Sequence, residues 1–310
     1  MAFDFSGMND LTVRILLICA LLFSGEPSGI AKVARPAYYA GGVAGIEDLL
    51  LPSNSRIFRS GGGGLYLHNT GWGRLPDEEK KGILTVFQNH PVAVELGFGS
   101  GPSWGKLYED HYLAYGVKPT FVCCDPWNSG KPVTPELWRA YADAVREHGI
   151  PPSTPILPIF GYQNYPEYVR TLSQNKVSSS KVFQAIIEQS GGIVLDTPPK
   201  YTMQFREQAY RDWVVDAIQW TKQRGLQTIV LISPGNFAYA FYSGVQWPGD
   251  TAKYLRYLYT HRAIPAVFVC MNYSDHTPPK YPNRVGNEKI DYTALGECLL
   301  IKQQIMPNLP

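Results

Sequence analysis

The chain has 310 residues, of which 45% are hydrophobic and 17% charged, and its formal net charge is +2. A large core is affordable in that composition, and no basic stripe or long single-sign block is present. Nucleic acid is excluded as an expected partner, because phosphate binding needs clustered Lys and Arg.

The amino terminus carries a processing signature. Arg14 precedes the apolar run Ile15 to Phe23, and the small residues Gly29 and Ala31 follow. Charge, a short apolar stretch and a small-residue exit in that order predict a secretory signal over 1–31. The run is too short to span a bilayer, where about 20 residues are needed, and no other segment is long and apolar enough. Secretion, or a periplasmic location, is the expectation.

Residues 32–63 read as a lead-in rich in Gly and Pro that ends in the glycines Gly61 to Gly64. No Lys-Ser or Lys-Thr follows them, so a phosphate loop is not expected there. Seven apolar, strand-like runs come next, each ending in a polar or aromatic cluster. They are Leu65–Asn69, Val92–Glu95, Thr120–Asp125, Ile156–Phe160, Ile193–Asp196, Thr228–Ile232 and Ala266–Cys270. Helix signals separate several of them. Pro76-Asp77-Glu78-Glu79 opens an amphipathic stretch to Asn89, with acids suited to a helix N-terminus. Thr134-Pro135-Glu136 starts another, with Thr as cap and Pro in the first turn, and Gly149 stops it. Arg206 to Arg224 is the longest, with Ala209, Trp213, Val214, Ala217, Ile218 and Trp220 at helical spacing on a core-facing stripe. Thr251–Arg262 and Asp291–Gln304 are two more.

Continuous apolar strands alternating with helices predict a parallel α/β fold. The expected form is a single (β/α)8 barrel over 64–310, with an open doubly wound sheet as the alternative. A closed barrel needs eight strands. The missing one is expected at Ala37-Tyr38-Tyr39-Ala40 or Arg56-Ile57-Phe58, the alternative being a barrel left incomplete after Asp275. In either fold the carboxyl ends of the strands form the functional rim.

Three strands end in carboxylates: Glu95, Asp125 and Asp196. Behind them, on the same face, stand the small or apolar Ala93, Cys123 and Val194, which places all three acids over the mouth of a barrel. Asp275 follows the last strand. Glycosidic cleavage needs one protonated carboxyl and one ionised. Glu95 has the most apolar sequence neighbourhood and is the expected acid, with Asp196 its partner and Asp125 and Asp275 in reserve. Aromatic and amide side chains gather beyond the same strand ends. Trp72, Trp104, Trp127, Tyr162, Tyr201 and Tyr273 suit the C–H face of a sugar ring, and His68, Asn69, Gln163, Asn164, Asn236 and Asn272 suit its hydroxyls.

Other chemistries fit less well. Ser233-Pro234-Gly235 lacks the nucleophile elbow of an α/β-hydrolase. Gly97-Phe98-Gly99-Ser100-Gly101 has no ribose-binding acid at the right distance for a dinucleotide site. Cysteine and histidine spacings do not predict a metal site, and Cys123, Cys124 and Cys270 read as buried hydrophobes, not as a disulfide framework. No cofactor is expected.

With Leu65–Trp72, Val92–Gly97, Phe121–Trp127, Ile193–Pro199 and Val267–Asp275 in place, the chain resembles the secreted (β/α)8 barrels of the glycoside hydrolase superfamily over about residues 60–305. The resemblance implies hydrolysis of a polysaccharide or oligosaccharide by a paired-carboxylate mechanism, in a monomer. A sugar-binding barrel without turnover, or a lyase, is the alternative.

Overall fold

The computed structural model describes residues 36–43, 45–54, 63–126, 133–161, 176–204, 208–232, 247–272 and 294–309. Eight strands run through it: β1 Ala37–Gly42, β2 Gly64–His68, β3 Val92–Phe98, β4 Phe121–Asp125, β5 Ile156–Gly161, β6 Gly192–Asp196, β7 Gln227–Ile232 and β8 Val267–Asn272. They pair in chain order, every neighbour parallel, and β8 closes onto β1. The expected barrel is present and the open sheet is not.

One expectation needs correction. β1 lies inside the stretch read as a lead-in, so the barrel begins at Ala37 and not at residue 64. Of the two candidates for the eighth strand, Ala37-Tyr38-Tyr39-Ala40 is the one used. Its small residues serve a close approach. A Cβ on Gly41 would stand 1.7 Å from the Tyr66 carbonyl oxygen on β2, so only glycine lets the two strands meet there. The signal expected over 1–31 lies outside the described residues.

Nine described helices run between and after the strands: α1 Asn69–Arg74, α2 Asp77–Val86, α3 Gly101–His111, α4 Pro135–Arg146, α5 Lys181–Ser190, α6 Pro199–Gln204, α7 Gln208–Gln223, α8 Trp247–Thr260 and, after β8, α9 Ala294–Leu300. Their ends follow from local chemistry. Thr134 caps α4, its hydroxyl accepting from the Leu137 N–H at 3.2 Å, with Pro135 in the first turn. At the start of α3 the Ser100 N–H donates to Ser103 Oγ at 3.0 Å, which satisfies one of the otherwise orphaned donors. α7 buries Trp213, Val214, Ala217, Ile218 and Trp220 of the stripe read from its periodicity, while Ala209 is half-buried.

Apolar packing forms two concentric layers. Inside the ring are Tyr39, Tyr66, Ala93, Phe121, Cys123, Leu157, Ile159, Val194, Ile229, Leu231, Val267, Val269 and Met271. Outside it, the other strand faces meet the helices in one continuous cluster. All four described cysteines are buried free thiols. Among the described residues no helix is long and apolar enough to cross a membrane.

One carboxyl is trapped in the outer layer. Glu297 on α9 is fully buried, and burial raises its pKa well above the usual value, a rise that a hydrogen bond from Thr251 only partly opposes. Above the ordinary carboxylate value an unfolded Glu297 sheds its proton while the folded one keeps it, so this group makes folding less favourable as pH rises through that window. Denaturant titrations should therefore show a stability component that is complete in acid and lost towards neutral pH. Glu297→Gln should remove that component.

Candidate active site

Side chains two apart on a strand share a face. Tyr66, Ala93, Cys123 and Val194 line the inside of the ring, so His68, Glu95, Asp125 and Asp196, each two residues further on, continue the same inward rows at the carboxyl ends. All four are buried polar residues, with Glu95 at 4% exposure and Asp125, the most open of the acids, at 9%. Three carboxylates and an imidazole thus converge at one end of the barrel.

Glu95 is the best-defined of them. The Tyr66 hydroxyl donates to its Oε2 at 2.5 Å, and His68 Nε2 lies 3.3 Å from its Oε1. The other ring nitrogen, His68 Nδ1, accepts the Thr70 N–H at 3.1 Å at the start of α1. An acceptor Nδ1 carries no proton, so the proton of the neutral ring sits on Nε2 and points at the carboxylate. Both Glu95 oxygens are acceptors, one from the Tyr66 hydroxyl and one from the His68 Nε2–H. Cys123 lies beside the pair. Its thiol is pushed well above the ordinary value, first by burial and then by the Glu95 charge, so it stays protonated and is a poor nucleophile.

The strand ends that carry these groups are fastened from outside by aromatic donors. Tyr112 Oη donates to the Leu67 carbonyl at 3.1 Å and the Glu95 carbonyl at 3.3 Å. Tyr210 Oη reaches the Asp196 carbonyl at 3.3 Å, and next to it Thr197 Oγ1 and Tyr254 Oη are 2.7 Å apart. Burial raises the pKa of both Tyr112 and Tyr254, which remain protonated. After Glu95 the pairing of β3 with β4 slips by a bulge, and Gly97 takes a φ of 68°, the left-handed region that favours glycine. Its carbonyl turns outward to accept the Trp104 indole N–H at 3.1 Å.

Two residues expected to bind sugar are therefore corrected. Trp72 and Trp104 are both at 0% exposure and sit in the outer apolar layer. The Trp72 indole N–H donates to the His111 carbonyl, and Trp104 packs edge-on against Trp138 and Tyr141. They sit in α1 and α3, and those helices turn them away from the mouth. Trp104, Tyr108 and Tyr112 are spaced four apart, a helical core stripe readable from the sequence. Asn69 opens α1 half-buried, next to Gly97. Tyr201 falls in α6 and Asn272 ends β8. Trp127, Tyr162, Gln163, Asn164, Asn236, Tyr273 and Asp275 lie outside the described residues. Tyr66 was not singled out from the sequence, although it stands two residues before His68 and so shares its face.

No family model and no curated protein matches the chain. Solved structures do. A glucosidase from Croceicoccus marinus superposes with a TM-score of 0.50 at 11% identity, over 87% of this chain and 68% of that one. A D-allulose 3-epimerase from Methylomonas sp. gives 0.48 at 14% identity, over 87% and 97%. KGPDC from Streptococcus mutans gives 0.48 at 9%, over 88% and 98%. What the glucosidase shares with this chain is the barrel. At such identities the likeness says nothing of substrate or reaction.

Proposed function

We propose that the chain is a glycoside hydrolase acting on a polysaccharide or oligosaccharide outside the cytoplasm. The observation that carries this reading is Glu95, held by Tyr66 and His68 among the inward acids Asp125 and Asp196. Within it the roles expected from the sequence exchange. A carboxylate that accepts two hydrogen bonds suits the ionised member, which attacks the anomeric carbon or activates water. The proton then comes from Asp196 or Asp125.

Carboxyl spacing decides the stereochemistry: about 5–5.5 Å for a retaining enzyme and about 6.5–9.5 Å for an inverting one. Asp125 stands on the strand next to that of Glu95, with Glu95 matched to Cys123 and Asp125 to Phe98, and Asp196 is three strands round the ring. Purified protein on a glycan panel should release reducing ends, and the anomer first formed tells retention from inversion. Binding without release, at high protein and long times, would leave a sugar-binding barrel. An unsaturated product absorbing in the ultraviolet would mean a lyase.

A further inference from the structure

The last residue of β2 serves two neighbours at once. His68 is matched with Glu95 in the register of β2 with β3, and both side chains are buried. Its Nε2 lies 3.3 Å from Glu95 Oε1, while its Nδ1 accepts the Thr70 N–H at 3.1 Å and so caps α1. From the outer layer Tyr112 Oη donates to the carbonyls of both Leu67 and Glu95, which holds the two strand ends side by side. The other titratable groups about Glu95 are Tyr66 on β2, Tyr112, and Cys123 and Cys124 on β4, with Asp125 and Asp196 among the inward acids of the same end. Burial keeps Tyr112 and both thiols protonated.

A neutral imidazole has one ring proton to place. On Nε2 it points at the Glu95 carboxylate and favours the charged form. On Nδ1 it would meet the Thr70 N–H head-on and turn a lone pair towards Glu95, which favours a protonated carboxyl. The Thr70 N–H belongs to the backbone of the first turn of α1 and has no such freedom. Resting on the glycosidase reading above, we propose that His68 is a positioning residue: the first turn of α1 selects its tautomer, and that tautomer keeps Glu95 ionised and in place as the member that attacks or activates water. The two ring nitrogens then have separable duties. Nδ1 serves the helix, and Nε2 serves the carboxylate.

The test replaces one nitrogen at a time in the full chain. His68→Asn has an oxygen in the place of Nδ1, able to accept from Thr70, and nothing that reaches Glu95. His68→Gln carries its amide NH₂ to the place of Nε2 and gives up the cap. By carbon NMR the Glu95 carboxyl should take up its proton at a higher pH in His68→Asn than in the parent, and close to the parent in His68→Gln. Melting temperature should divide the other way, falling by about 2–4 °C in His68→Gln and little in His68→Asn. On a glycan that the parent cleaves, kcat should fall about 10²-fold in His68→Asn with KM held, and His68→Gln should recover most of that loss. Nitrogen NMR of the parent should show a protonated Nε2 and a bare Nδ1. A ring protonated on Nδ1, a Glu95 signal that titrates alike in the parent and His68→Asn, or activity that follows melting temperature across the two variants overturns the proposal. If no glycan is cleaved, the glycosidase reading fails, and the ring and carboxyl signals still decide whether His68 holds Glu95 ionised.

Discussion

Glu95→Gln is expected to lower turnover by roughly 10²–10⁴-fold while the melting temperature stays near that of the parent. The amide keeps the shape of the carboxyl. Its oxygen still accepts from His68, and its NH₂ can donate to the Tyr66 oxygen, so both neighbours keep a contact to the side chain. What it lacks is the charge that would attack the anomeric carbon or take a proton from water. Asp196→Asn and Asp125→Asn, measured beside it, separate the two candidate donors, since only the true one should fall by a comparable factor. Full activity in Glu95→Gln would sink the assignment and move attention to Asp125 with Asp275. Loss of stability alone would make Glu95 structural and favour a binding barrel.

Trp104→Ala should do the opposite, with a large loss of stability whatever the substrate. The indole is wholly buried, rests against Trp138 and Tyr141, and donates to the Gly97 carbonyl at the bulge of β3. Truncation leaves a cavity and an orphaned acceptor, at a cost of about 3–5 kcal/mol. Urea denaturation gives the number directly. A variant of normal stability that fails only in sugar binding would return Trp104 to the cleft, where the sequence had suggested it.

The two residues also mark how far the sequence could be read. The seven strands β2 to β8 were legible because burial on both faces leaves continuous apolar runs, a pattern few other elements produce. β1 was harder to see. Its Ala and Gly residues suit close strand approach, and in a sequence they look like a linker. The inward acids were legible from the two-residue period of strands. The aromatics were not, because a Trp just after a strand end can face the mouth or the outer layer, depending on where the next helix begins. In α3 that helix begins at Gly101, early enough to turn Trp104 outward. Tyr112 and Tyr210, which the sequence did not single out, give their hydroxyls to backbone carbonyls of the strands that carry Glu95 and Asp196. That role depends on three-dimensional proximity and leaves no local pattern.

The pairing of β1 with β8 has a bearing on how the molecule is made. Ala37–Gly42 is matched residue for residue with Val267–Asn272, so the first strand of the barrel has one edge that only its last strand covers. On a ribosome that edge stays open until β8 has emerged, and contacts of such long sequence separation form late and slowly. Throughout that interval the nascent protein presents an unpaired strand, the kind of edge on which chaperones act and aggregates start.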